Sequence, residues 1–431
     1  MRPRAAILPR GSVRDVASFG REPVDAETLA AAASIVEDVR ARGEAALRAQ
    51  AERFGDLAPG SPLVIGRASL DAALGQIPDE ERAALTRAHS RIRSFAIRQR
   101  DSIREFSVGV PGGECGQLLA PVERAGCYAP GGRHPLPSSV LMTATVARAA
   151  GVKSVWVASP RPAPATLAAA AIAGADALLC AGGAQAIAAL AFGAGPVPAC
   201  DAVVGPGNRF VTAAKKLIAG RVAIDGLAGP SEIVAVADAT ASPRRVAQDL
   251  VAQAEHDPDA RVVLIATDAA VADRIVAEAE RALDGLPTAE TARAALARGK
   301  TILASTLDEA IAASDEIAPE HLLLAVEEPE AALVRARHFG AAFLSDATSV
   351  VFGDYGAGPN HVLPTAGTAR AAGGLSVFTF LRVRTWLRVD ESSALESLAR
   401  DAALIARVEG LEAHARAAES RAGRPASDRE P

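Results

Sequence analysis

The sequence predicts an α/β protein: two doubly wound, incomplete Rossmann-like parallel sheets, with small helical extensions at the N- and C-terminal ends. Three observations carry this. From Pro121 onward, short apolar segments alternate with helix-period segments of about 10–13 residues, the mark of βαβ units. Glycine-rich turns stand where strands hand over to helices: Gly131-Gly132, Gly182-Gly183 and Gly205-Pro206-Gly207-Asn208. The chain has 431 residues, 49% apolar and 23% charged, enough for more than one domain and a large core.

The elements follow in order. Residues 1–25 read as an irregular arm. Residues 26–106 are mostly helical: one helix over LAAAASIVEDVRARGEAALRAQAERFG, stopped by Gly55, and a second from about Pro78 to Glu105. Strand RAGCYAP then leads to helix SSVLMTATVARAAG, strand SVWVAS, helix PATLAAAAIAGA, strand ALLCAG and helix AQAIAALAFG. Strand DAVVG and helix RFVTAAKKLIAG close that block. A second block opens at EIVAVAD. It continues through PRRVAQDLVAQAEH, RVVLIAT, AAVADRIVAEAERAL, a strand near Thr301, LDEAIAASDEIA, HLLLAV, PEAALVRARHFG and AAFLS. The sequence break lies near Gly229-Pro230-Ser231. Domain bounds are set at 26–118 with 237–375 for the first α/β domain and 119–236 for the second. Residues 351–375, rich in Gly and without helical period, read as a long functional loop. Residues 376–431 read as a charged helical segment ending in a disordered tail.

Several function classes are excluded early. Net charge is -5, and no basic stripe with interleaved aromatics marks a nucleic-acid partner. The apolar run Ala5–Leu8 is too short for a signal peptide. The stretch Ala163–Cys200 is Ala-rich and broken by Gly and Pro, unlike a membrane span of about 20 uninterrupted residues. Cys115, Cys127, Cys180 and Cys200 form no CxxC pair and no disulfide framework, which fits a cytoplasmic protein with buried thiols.

Candidate chemistry starts at LVAQAEH. Gln253 and His256, three apart, share a helix face and present an amide oxygen beside an imidazole. Taken with Asp354 and His414, they would offer two imidazoles and two oxygen ligands. That mix suits zinc, and also manganese or cobalt, with positions open for substrate. His321 follows Glu320 where a helix gives way to a strand, and adjacent Glu and His can divide acid and base work. His361 lies in the glycine loop, His134 in the turn after Gly131-Gly132, and His89 and His338 in charged helical stretches. Ligand crevices in open α/β sheets lie beyond the C-terminal ends of the strands. The three glycine turns fall there, each before a helix that could aim N–H groups at an anion such as a pyrophosphate. None is a GxGxxG fingerprint, so tight βα turns account for them equally well.

CYAPGG, SSVLMTATVARAAGV, GGAQAIAALAFG, GPGNRFVTAAKK, AGPSEIVAVAD, DLVAQAEHDPDA, APEHLLL and GDYGAGPNHVLPT occur in this order. Together they resemble the histidinol dehydrogenases, from about residue 10 to 416. The resemblance implies a zinc-dependent, NAD+-linked enzyme of histidine biosynthesis that oxidises L-histidinol to L-histidine through a tightly held aldehyde. It implies zinc ligands Gln253, His256, Asp354 and His414, with one Zn2+ per subunit. It implies His321 as base for the alcohol step and Glu320 as the group that activates water on the aldehyde. Ser231, His361 and Glu409 match substrate contacts; Tyr128, Gln185 and Asn208 match cofactor contacts. The resemblance further implies a homodimer whose C-terminal segment crosses to the partner, so that Glu409 and His414 complete the other subunit's site. The turn at His134 and the segment FLRVRTWLRVD (380–390) depart from the usual pattern. Three other functions compete: a related zinc/NAD+ dehydrogenase of another amino alcohol or diol, such as a sulfonated propanediol, a zinc hydrolase, or a silent metal-binding protein.

Overall fold

The computed structural model describes residues 7–12, 14–15, 24–131, 135–390 and 393–422. His134 and the C-terminal tail from 423 onward lie outside them. The chain forms two compact units, residues 1–100 with 122–380 and residues 101–121 with 381–431.

The first unit holds two six-stranded sheets with the same core topology. In one, the order is Arg10–Gly11, Lys300–Leu303, Arg261–Ala266, Glu232–Ala237, His321–Ala325, Ala341–Leu344, all parallel. In the other it is Val64–Gly66, Ala177–Leu179, Ser154–Ala158, Arg124–Tyr128, Ala202–Val204, Ala223–Ile224. From Glu232 or from Arg124, the strands run 3-2-1-4-5, the half-Rossmann order. Each sheet gains one edge strand from the N-terminal region. The expected α/β class and its two doubly wound sheets are therefore present.

Central strands read as unbroken apolar runs because both faces are covered. In Glu232–Ala237, Ile233, Ala235 and Ala237 join a core with helices Pro243–Ala254, Ala269–Ala282 and Ala289–Arg298. Val234 and Val236 point the other way, into a core with helices Leu307–Ile317 and Pro329–Arg335.

Five expectations need correction. The N-terminal arm is not wholly irregular: Arg10 and Gly11 pair in register with Thr301 and Ile302. The helix expected across 29–55 is two helices, Ala26–Arg42 and Glu44–Arg53, because Gly43 takes a φ of 59° that α-helical backbone cannot hold. These helices do not belong with residues 237–375. They pack on helices Gly183–Phe192 and Arg209–Ile218, and Val64–Gly66 pairs antiparallel with Ala177–Leu179. Their apolar faces are covered by the second block, so the N-terminal bound at 26–118 fails, and strand Glu232–Ala237 moves the other bound back to the Gly229–Ser231 turn. The segment 351–375 opens with a short helix, Val350–Asp354, capped by the Ser349 side chain.

The second unit is not wholly helical, contrary to the expectation for residues 376–431. Gly113–Pro121 is the centre of a three-stranded antiparallel sheet between Phe106–Val110 and Leu381–Val389. Helices Ser393–Val408 and Glu412–Glu419 pack through Ala403, Ala406 and Ala415. Among the described residues no helix is long and apolar enough to cross a membrane.

Candidate active site

The site grows from the start of strand Glu232–Ala237. Its neighbour His321–Ala325 pairs with Ile233 opposite His321. Glu320 therefore meets Glu232, whose N–H donates to Glu320 Oε2 at 2.9 Å. Crossover helix Pro243–Ala254 runs back against the strands, so its last turn returns Gln253 to the strand starts; His256 lies just past the helix end and not, as expected, on one helix face with Gln253. The cluster thus sits at the N-terminal edge of this sheet, not beyond the C-terminal ends where crevices were expected. The reason is that its groups come from a helix end and from strand beginnings.

Burial sets the electrostatics. Glu320 and His321 are 5% and 4% exposed, and His321 packs against the Phe343 ring. Burial lifts the Glu320 carboxyl well above its usual range; the Glu232 amide opposes this, and the Glu232 and Asp354 charges add to it. Burial likewise lowers His321 to about 4; its hydrogen bond to Glu232 opposes this, while His361 and His256 add to it. His321 Nδ1 lies 3.0 Å from the Glu232 carbonyl oxygen. A carbonyl only accepts, so Nδ1 carries the proton and Nε2 keeps its lone pair. Nε2 faces Asp354 Oδ1 at 3.9 Å.

The same logic fixes His361. Its Nδ1 donates to the Asp354 carbonyl at 2.8 Å, leaving Nε2 as acceptor, and burial lowers it to about 4. Asp354 is raised to about 7 by burial and by Asp249 nearby. Asp249 in turn accepts from Ser349 Oγ at 2.5 Å, which ties helix Pro243–Ala254 to the cap of the short helix that ends at Asp354. Ser231, beside Glu232, turns its hydroxyl toward Glu320, which opposes the lift from burial. A cavity of about 350 Å³ opens at His321 and His361, with Phe95, Phe343, Phe352 and Leu375 in its walls. Two imidazoles with free Nε2 atoms and a high-pKa carboxyl can accept and pass protons in a site largely shielded from water.

Among the described residues, no three His, Cys, Asp or Glu side chains stand close enough to hold a metal by themselves. In the expected set an amide replaces one of them. Gln253 is 3% exposed, and its amide nitrogen is buried without a partner among the described residues. Such an orphan costs about 1–3 kcal/mol unless something else engages the amide. His256 is solvent-exposed, yet loss of hydration still pulls it below its usual pKa. Gln253 through its amide oxygen, His256 through an imidazole nitrogen and Asp354 through a carboxylate oxygen supply the donor types of a zinc set from this chain. His414 and Glu409 lie in the second unit, where both are exposed.

Tyr128, Gln185 and Asn208 lie at the C-terminal edge of the other sheet. Their surroundings correct one expectation. The Gly182 N–H donates to Asp56 Oδ2 at 2.8 Å and the Gly183 N–H to Tyr128 Oη at 3.2 Å. Gln185 Nε2 also donates to Asp56, at 3.0 Å. Asn208 Oδ1 caps Phe210 and Val211. Two of the three glycine turns therefore spend these N–H groups internally rather than presenting them to a pyrophosphate, and no fingerprint is needed. Burial raises the Tyr128 phenol to about 12, so it stays a neutral donor. The missed residues here are Asp56, Lys215 and Asp225. Lys215 and Asp225 form a buried ion pair around Gly205.

Residues 21–422 match the family model described as histidinol dehydrogenase. The chain is 47% identical over 390 residues to the histidinol dehydrogenase of Thermus thermophilus, covering 90% of this chain and 93% of that protein. It is 44% identical over 402 residues to that of Bordetella parapertussis, covering 92% and 91%. The crystal structure of histidinol dehydrogenase from Elizabethkingia anophelis superposes with a TM-score of 0.91 at 31% identity, covering 97% of this chain and 98% of that one.

Proposed function

Because the chain belongs to the histidinol dehydrogenase family, we propose that it oxidises L-histidinol to L-histidine through histidinaldehyde, with zinc and two NAD+, as the last step of histidine biosynthesis. The observation that carries this reading is the buried Glu320–His321 pair, with His321 locked by the Glu232 carbonyl in the tautomer that leaves Nε2 basic.

Gln253, His256 and Asp354 would hold the metal, with His414 of a partner subunit as the fourth ligand. When bound, zinc supplies a Lewis-acid anchor for the substrate's nitrogens and NAD+ accepts hydride. His321 Nε2, neutral at physiological pH, takes the hydroxyl proton of the alcohol. Glu320, whose raised pKa makes its carboxylate a stronger base, draws a proton from the water that adds to the aldehyde. Ser231 orients Glu320 through its hydroxyl. His361, held by the Asp354 carbonyl, offers Nε2 to a substrate N–H. Tyr128, Gln185 and Asn208 shape the edge where the dinucleotide would lie. Glu409 would reach the substrate from the partner.

The test is NADH absorbance with L-histidinol. Two NADH per histidinol are expected. Turnover of a diol but not histidinol would assign the chain to another small alcohol, and chelator-sensitive hydrolysis without NAD+ would overturn the dehydrogenase reading. For the dimer, truncation after Arg400 should abolish zinc binding and activity; an active truncated protein would refute the shared site.

A further inference from the structure

Glu232 carries a buried carboxylate that the proposed chemistry does not use. It is 3% exposed and opens the central strand of its sheet. Its main chain touches both members of the acid–base pair: the N–H donates to Glu320 and the carbonyl accepts from His321. Its side chain reaches elsewhere. Oε1 accepts from the Ala366 N–H, while Oε2 lies 3.9 Å from the Arg261 guanidinium, beyond hydrogen-bond reach.

Ala366 is an unusual residue to hold. Its φ is +56°, a left-handed conformation that residues other than glycine rarely adopt unless something over-determines it. A second tie lies beside it, where the Gly229 N–H donates to Thr365 Oγ1 at 2.6 Å. Residues 229–232 and 365–366 are thereby latched together. The latched segment begins at His361, whose ring joins His321 at one cavity.

The charges around Glu232 argue against a purely structural role. A second carboxyl, Glu320, faces it, burial raises Glu232 itself to about 7, and the Arg261 guanidinium stands 3.9 Å away. Stability alone would favour an apolar side chain of this size in such a place. We propose that Glu232 is a positioning residue: its carboxylate anchors the His361–Gly367 segment to the strand start that orients Glu320 and His321. It thereby sets the distance between the two imidazoles before substrate arrives. This inference rests on the dehydrogenase reading above.

The test compares Glu232→Gln, which keeps an oxygen for the Ala366 N–H, with Glu232→Ala, which removes it. In the zinc-loaded full-length enzyme, E232A should raise KM for L-histidinol and lower kcat, each about tenfold or more, the scale of one lost buried charge-assisted hydrogen bond. KM for NAD+ should stay within about twofold, and E232Q should recover KM for histidinol to within about threefold. Amide exchange across 361–367 should quicken in E232A and return in E232Q. A general loss of stability would not separate the two substrates in this way. Wild-type constants in folded E232A, or unchanged exchange at 361–367, would overturn the proposal. Should E232A fail to fold, Thr365→Val breaks the second tie and should move KM for histidinol in the same direction; no movement would count against the latch. A wild-type protein inactive on histidinol would sink the dehydrogenase reading instead, while the exchange measurement would still judge the latch.

Discussion

Replacing Lys215 by Met should destabilise the sheet that carries Tyr128 far more than a typical substitution. Lys215 and Asp225 pair with side chains only 3% and 2% exposed, so solvent does not screen them. Together they grip one peptide: Lys215 Nζ donates to the Gly205 carbonyl at 3.0 Å, and Asp225 Oδ2 accepts from the Gly205 N–H at 2.7 Å. Removing one partner of a buried pair leaves an uncompensated charge, which costs about 3–5 kcal/mol. The lost bond to Gly205 adds about 1 kcal/mol. Lys215→Met should therefore cost about 4 kcal/mol or more. Adding Asp225→Asn should recover about 2 kcal/mol, because the stranded charge is gone. Urea unfolding followed by Trp156 fluorescence measures this, in a Trp386→Phe background so that only this sheet reports. Trp156 sits in strand Ser154–Ala158, next to Arg124–Tyr128. A K215M cost under about 1 kcal/mol, or an equal cost with Asp225 intact and in the Asp225→Asn background, would rule out a stranded buried charge.

Other expectations follow from the same contacts. Gly205→Ala would place its Cβ 2.0 Å from the Tyr128 carbonyl oxygen at a φ of +124°, and should cost about 3 kcal/mol or more. Gly220→Ala, at φ +89° but in open space, should cost about 1 kcal/mol and serves as the control. His321→Asn should lower kcat for histidinol by about 10²–10⁴ with little loss of stability; near-normal kcat would remove His321 from the base role. NMR titration of the imidazole carbons should show His321 and His361 still neutral at pH 6, since burial lowers both to about 4. Midpoints near the ordinary 6.5 would contradict the burial described here. Dialysis against a strong chelator should abolish activity and lower the melting temperature, and zinc should restore both; Gln253→Ala should bind zinc about 10-fold or more weakly.

Part of this was legible in the chain. Alternation of βα units is a local pattern, so EIVAVAD, RVVLIAT and HLLLAV announced their strands without knowledge of their partners. LRVRTWLRV carries a strand signal of its own, masked by its charge. Arg382, Arg384 and Arg388 alternate with Val383 and Leu387, a period of two that marks β structure and not helix, although Val383 and Leu387 are themselves exposed. Asp249, four residues before Gln253, was a visible polar stripe on one helix face, and it anchors the cap of the short helix that ends at Asp354. Val64–Gly66, only three residues long, gave too short a pattern to register.

By itself the sequence determined the fold class, the order of most elements and the side chains from which the site is drawn, because helix and strand periods and motif spacings act over a few residues. The tertiary structure alone decided which edge of the sheet holds Ser231, Glu320, His321, Asp354 and His361. It also decided which nitrogen of each imidazole keeps its lone pair, and that the N-terminal helices cover the other sheet. Those outcomes depend on strand register, such as Ile233 opposite His321, and on which apolar faces find each other. Register and packing join residues far apart in the chain, and no local pattern encodes them.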